Sequence, residues 1–142
     1  MTHGIPNTTT HEPDAVIDDT QEPTWDIVVK RYLDSKSISP DVLGVERLAD
    51  VAMVHTIYAP LARMMVARDK MGFEKHGTHL TPNNGRDSLV DALQEQLDCV
   101  VYLQNAILEE TDEHIVKLLD DSFHMALLLL ENLYITWDAR ND

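Results

Sequence analysis

The sequence predicts an all-α protein, a bundle of four to five helices, on two observations. Apolar residues recur at helical spacing from residue 41 to residue 137. No segment alternates apolar and polar residues as half-buried strands do. Residues 1–24 carry too little apolar surface to offset the entropy of ordering, so they are predicted to be a flexible tail. Residues 25–142 are predicted to form a single helical domain.

Length and charge narrow the class of protein. The chain has 142 residues, of which 44% are hydrophobic, enough for one domain with a core. Its formal net charge of −14 argues against direct nucleic-acid binding, which relies on Lys and Arg to neutralise phosphates. The same charge argues against binding to an anionic membrane surface. A nucleotide enzyme remains open, because a divalent cation reverses the local field.

The first three helices are predicted from caps and breakers. The first covers residues 25–35, with Thr24 as its N-cap. The second covers residues 41–58, and Pro60 is expected to end or kink it because proline donates no hydrogen bond. The third covers residues 60–75.

Basic and polar side chains gather at the end of the third helix and in the loop after it. Lys70, Lys75 and His76 offer donors suited to phosphate, or they belong to a mixed-charge face in water. Asn84 lies in a turn signal, and Arg86 at the start of the next helix is placed to meet an anion there.

The fourth helix, predicted to end near Glu110, carries a stripe of acids. They stand at i, i+4, i+8 and i+11, which confines them to roughly 80° of the helix surface. The stripe consists of Asp87, Asp91, Glu95 and Asp98, and Tyr102, Asn105 and Glu109 continue it. Like charges at this spacing destabilise a helix by about 0.2–0.5 kcal/mol per pair, so they need water or a cation. Two interpretations follow, a solvated face or a Mg²⁺ site in which Glu95 and Asp98 share one ion.

The last helix, predicted over residues 112–137 with Thr111 as its N-cap, is apolar around most of its girth. Such a helix is buried on several sides, which predicts a subunit interface and a homo-oligomer. The longest apolar run, residues 126–130, is too short to cross a membrane. The single cysteine, Cys99, permits no internal disulfide, and the N-terminus lacks signal-peptide features, so a cytoplasmic location is expected.

One stretch resembles a known family. Glu95 and Asp98, followed by an apolar segment that ends in Tyr102 and Leu103, resemble the second metal-binding half-motif of the all-α nucleoside triphosphate pyrophosphatases. This is the MazG-like and dimeric-dUTPase-like superfamily. The longer run from His76 to Leu103 also resembles small phage MazG-like proteins of the MazZ type.

The resemblance implies a MazG-like all-α architecture and Mg²⁺-dependent hydrolysis of a nucleoside triphosphate to a monophosphate and pyrophosphate. It implies dGTP and dATP as substrates, Mn²⁺ as a substitute ion, a homodimer or homotetramer, and the host cytoplasm if the chain is phage-encoded. Glu95 and Asp98 would be catalytic. The metal ligands would be Asp91, Glu95, Asp98 and Glu74. The substrate-binding residues would be Lys70, Lys75, His76, Asn84, Arg86, Asp87, Tyr102 and Asn105.

One feature departs from the family pattern. The superfamily normally has an ExxE half-motif on the preceding helix, and none occurs between Pro40 and Glu95. Glu74 is the nearest upstream acid on that helix, and Asp91 offers an oxygen from the same helix as Glu95. The alternative function is a non-enzymatic acidic helical protein, a nucleic-acid mimic or an inhibitor of a host factor, which the net charge of −14 also suits.

Overall fold

The computed structural model describes residues 20–37 and 58–142, and these residues contain four helices and no strand. The all-α class predicted from periodicity is therefore confirmed for this part of the chain. The helices are α1 (Thr24–Ser35), α2 (Tyr58–His76), α3 (Ser88–Glu109) and α4 (Glu113–Arg140). The tail up to residue 19 and most of the helix predicted over residues 41–58 lie outside the described residues.

The ends of the described helices lie within a few residues of the predicted ends, but two predicted N-caps are wrong. Thr24 is the first residue of α1, not its cap, and its backbone N–H donates to the carbonyl of Leu80 at 2.7 Å. The N-cap of α4 is Asp112 rather than Thr111. The Asp112 carboxylate accepts from two free backbone N–H groups of the first turn, and a negative charge is favourable at that end of a helix.

Pro60 lies in α2, among the first residues of that helix that the structure describes. The expectation that it ends or kinks the helix predicted over residues 41–58 concerns residues that lie mostly outside the described part of the chain. The helix predicted over residues 60–75 is confirmed and extends from Tyr58 to His76.

The chain divides into two compact units, one within residues 14–85 and the other containing residues 86–142. The first holds α1 and α2 and is called the α1–α2 unit. Its core consists of Val29, Leu33 and Ala62, with Tyr32 and Met65 packed against them. After α2, Gly77 takes a φ of 74° and donates its N–H to the Phe73 carbonyl at 2.8 Å. This left-handed conformation suits a residue without Cβ, and it turns the chain into the loop that follows.

The α3–α4 unit is a pair of helices joined at three levels. Its core consists of Val90, Leu93 and Trp137, with Leu89, Leu130 and Leu133 packed against them. Near the middle of α3, the Gln96 side-chain amide donates to the Ala126 carbonyl of α4 at 2.9 Å. At the start of α3, Asp87 binds Arg140 near the end of α4. These contacts fix which face of α3 is turned away from α4.

Only a narrow strip of α4 is used in that contact. Ala126 and Trp137 are its buried residues, whereas Met125, Leu128 and Ile135 each remain more than half exposed. The apolar surface of α4 is therefore larger than the part of it that α3 covers. None of the helices in the described part of the chain is both long and apolar enough to span a membrane.

Candidate functional site

The acids that the sequence singles out lie on α3, in the α3–α4 unit. Glu95 and Asp98 are exposed, and neither forms a hydrogen bond or an ion pair with another described residue. A separation of three residues places both carboxylates on one face, one helical turn apart. The uncompensated negative charge of the stripe is therefore concentrated at these two side chains.

Asp91, one turn before Glu95, is already paired. The Arg86 Nε donates to Asp91 Oδ2 at 3.0 Å, and its second guanidinium nitrogen donates to Oδ1 at 2.9 Å. Both side chains are about 70% shielded from solvent, with 28% and 30% exposed. A two-point contact between a guanidinium and a carboxylate is among the stronger ion pairs in proteins and holds both groups in a fixed orientation. The structure thus brings together two predicted site residues, Arg86 and Asp91.

Asp87 has two structural roles at the start of α3. Its Oδ1 accepts from the backbone N–H groups of Leu89 and Val90, each at 3.2 Å, which makes it the N-cap. Both its carboxylate oxygens also accept from Arg140, at 3.0 and 2.7 Å. The Arg140 hydrogen bonds, aided by the two N–H groups, lower the pKa of Asp87 below its usual 3.8 despite partial desolvation. Arg140 is a residue that sequence reasoning missed, since 53 positions separate it from Asp87.

We expect Asp87→Ala to lower the free energy of unfolding by about 1 kcal/mol through the lost cap alone, with a further loss from the ion pair. Asp87→Ser keeps a capping oxygen but not the pair, so it is expected to lie between Asp87→Ala and the wild type. Thermal or denaturant unfolding at pH 7 measures both. Asp98→Ala, which removes an acid without a described partner, is the matched control and is expected to cost little or to stabilise.

The pH dependence of the Asp87 effect has a definite sign. Because the folded-state pKa is lowered, the contribution is present above the ordinary value of 3.8 and is lost as the pH falls through the lower folded value. The difference between wild type and Asp87→Ala should therefore shrink as the pH is lowered from 5 to about 2. A difference that stays constant over this range would contradict the role given to the Asp87 charge.

Two further residues that were predicted to bind substrate lie exposed on α3. Tyr102 is 68% exposed and Asn105 is also exposed, each one turn further from the acids. An aromatic ring that is this exposed to solvent offers a flat surface on which a planar group can stack. Among the described residues, no group of three or more His, Cys, Asp or Glu side chains is arranged to hold a metal ion.

The remaining predicted residues belong to the α1–α2 unit. Lys70 and Glu74 lie one turn apart on α2, with their charged atoms 3.9 Å apart and both side chains well exposed. Such a surface pair contributes little to stability. Lys75 and His76 are exposed in the last turn of α2, while Asn84 is buried in the loop that follows. The metal and phosphate roles of these residues stay predictions.

The structure also reveals a His–Asp pair that sequence reasoning missed. His79 Nδ1 lies 2.8 Å from Asp69 Oδ1, and the His79 ring stacks on Phe73 with centroids 4.6 Å apart. His79 is partly exposed, and Asp69 is 14% exposed. The pair joins the loop after α2 back to that helix. Ten positions separate the two residues, so neither helical spacing nor a short motif signals the contact.

Comparison of the chain with protein-family models, with curated proteins and with solved structures found no match. The likeness to MazG-like proteins therefore rests on the run from His76 to Leu103 alone.

Proposed function

We propose that the protein is a Mg²⁺-dependent nucleoside triphosphate pyrophosphohydrolase of the MazG-like type. One observation carries the proposal: Glu95 and Asp98 stand exposed, without a described partner, one turn apart on the α3 face turned to solvent. Two acids without a described partner, one turn apart on the same face, repel each other, and a bound cation gives a reason for keeping them there. The family resemblance of the same two residues supplies the reaction class.

The donor set fits Mg²⁺. Hard carboxylate oxygens from one or two side chains, with water and substrate phosphates completing the shell, are its usual ligands. Glu95 and Asp98 would hold the ion. Asp91 is the proposed third ligand, and it would have to exchange at least one of its two hydrogen bonds with Arg86 for the ion. When bound, Mg²⁺ neutralises charge on the triphosphate and favours cleavage next to the α-phosphorus.

The other residues of the proposed site bind substrate. Within the α3–α4 unit, Arg86 is the donor proposed for the phosphate oxygens. Tyr102 and Asn105 are proposed to contact the nucleoside, Tyr102 by stacking and Asn105 by hydrogen bonds. The substrate class proposed from the resemblance is a purine deoxynucleoside triphosphate, dGTP or dATP. Mn²⁺ is proposed to replace Mg²⁺, and the cytoplasm is the proposed location.

The test is incubation of the full chain with a panel of ribo- and deoxynucleoside triphosphates, with Mg²⁺, Mn²⁺ or EDTA. Chromatography is expected to show a monophosphate and pyrophosphate in equal amounts, only when metal is present. A diphosphate and orthophosphate would indicate a different cleavage site. Absence of turnover with every nucleotide and both metals would overturn the proposal.

A second candidate is a non-enzymatic acidic protein that occupies a basic groove of a partner. The net charge of −14 and the two exposed acids without a described partner favour it. The two functions differ in their response to cations. A specific site raises the melting temperature with millimolar Mg²⁺ or less, by mass action. A charge mimic responds equally to NaCl of the same ionic strength, because screening depends only on ionic strength.

We also propose that the chain forms a homodimer or homotetramer in which α4 contributes to the interface. The support is the amount of apolar surface that α4 leaves exposed beside the buried strip facing α3. Exposed apolar patches of this kind are typical of protein–protein contacts.

A further inference from the structure

The side of α4 turned away from α3 carries a regular pattern. Six exposed positions follow one another at spacings of 3, 4, 3, 4 and 3 residues, the repeat of the inward positions in a coiled coil. They are Leu118, Asp121, Met125, Leu128, Asn132 and Ile135, called the outer seam. Its four apolar side chains are 53%, 64%, 66% and 63% exposed, in chain order. The seam lies roughly 140° around the helix from the strip that packs on α3.

The outer seam is complementary to the same seam on a second copy that runs in the opposite direction. When two copies are laid antiparallel about a two-fold axis between Met125 and Leu128, each Met125 faces Leu128 of the second copy. Leu118 then faces Ile135, and the Asp121 carboxylate faces the Asn132 amide, which donates to it. A parallel pair in register would instead set Asp121 against Asp121, which like-charge repulsion opposes.

The residues beside the seam support the same arrangement. In an antiparallel pair, the residues beside the seam on one side of α4 face the residues on the same side of α4 in the second copy. Lys117 then lies near Asp138 of the second copy, and His124 lies near Glu131. Lys117 and Asp138 carry opposite charges, and opposite charges at such flanking positions set the partner and the orientation. In a parallel pair the same positions would meet Ser122 and Leu129, which carry no charge.

We propose that the occupant of the outer seam is a second copy of this chain, bound antiparallel with Asp121 opposite Asn132. The polar pair fixes the register, because a shift by one heptad would bury a carboxylate against apolar side chains. The inference rests on the homo-oligomer proposed above and specifies its interface. It does not depend on the hydrolase activity.

Cysteine cross-linking of the full chain tests the orientation. Leu118→Cys and Ile135→Cys are made separately in a Cys99→Ala background, which removes the native thiol. Oxidation of the mixture is expected to give a disulfide-linked dimer, while each variant alone stays uncross-linked. In the antiparallel pair the two copies of residue 118 are roughly 26 Å apart along the axis. Cross-linking of each variant to itself would indicate a parallel pair and overturn the proposal.

Light scattering distinguishes a failure of the outer-seam pairing from a failure of the homo-oligomer itself. A dimer or tetramer that gives no cross-link in the mixture would place the interface elsewhere, which overturns the outer-seam pairing and leaves the oligomer standing. A monomer of 16.1 kDa at micromolar concentration would overturn both. The hydrolysis assay is an independent test, because neither the cross-linking nor the light-scattering result depends on hydrolase activity.

A charge exchange tests the register. Asn132→Asp is expected to weaken the dimer at least tenfold, because it sets two carboxylates against each other at two places. Adding Asp121→Asn in the same chain restores the complementary pair and should return dissociation to within a few-fold of wild type. Gln104→Glu, an added charge on the exposed surface of α3, is the control and should leave dissociation unchanged. Equal effects of Asn132→Asp and the control would contradict the pairing.

Discussion

Glu95→Gln and Asp98→Asn are each expected to lower Mg²⁺-dependent triphosphate hydrolysis by roughly 100-fold or more, because a neutral amide replaces a charged oxygen that a hard cation requires. The melting temperature without metal is expected to stay constant or rise, since each change removes like-charge repulsion along α3. Steady-state turnover and thermal unfolding in EDTA measure the two effects.

Glu109→Gln is the matched control for these variants. Glu109 is exposed on the same helix, yet it lies roughly 21 Å along the axis from Glu95, too far to share one ion. It should keep wild-type turnover. If Glu95→Gln and Asp98→Asn also keep near-normal turnover, the acids form a solvated face, and the enzyme proposal loses its main support. If turnover and metal-free stability fall together, the two acids are structural.

Trp137→Ala is expected to lower the free energy of unfolding by about 3–5 kcal/mol, the range for removing a large aromatic side chain from a packed core. Trp137 is 8% exposed and packs with Val90 and Leu93. It also lies one turn before Arg140, so its loss loosens the end of α4 that holds Asp87. Denaturant unfolding followed by circular dichroism measures the change.

Leu108→Ala provides the comparison, because Leu108 is 74% exposed in the last turn of α3. It should change the free energy of unfolding by less than about 0.5 kcal/mol. A cost for Trp137→Ala no larger than that of Leu108→Ala would mean that the contact between α3 and α4 does not persist in solution.

The positions of the described helices followed directly from the sequence, whereas the identities of their caps did not. The helical segment predicted over residues 60–75 was found as α2, because apolar periodicity is a property of the segment itself. At the starts of α1 and α4, the choice of cap depended on which residue first leaves helical geometry. Thr24 was drawn into the helix while its N–H reached Leu80, a contact that local spacing does not reveal.

The candidate site shows the same division. Helical spacing alone put Asp87, Asp91, Glu95 and Asp98 on one face. It did not distinguish them from one another, since all four have the same chemistry and similar spacing. The structure separates them: Arg86 pairs Asp91, Arg140 and two N–H groups occupy Asp87, and Glu95 and Asp98 remain exposed without a described partner.

The sequence by itself determined the all-α class of the described residues, the approximate ends of their helices and the common face of the α3 acids. These are local properties, set by residue spacing along one helix. Only the tertiary structure decided the partners of those acids and the side of α4 that α3 covers. Arg140 reaches Asp87 because packing of Trp137 on Val90 and Leu93 brings the end of α4 to the start of α3. Contacts between residues so far apart in the chain depend on how whole helices pack, which the spacing within either helix does not encode.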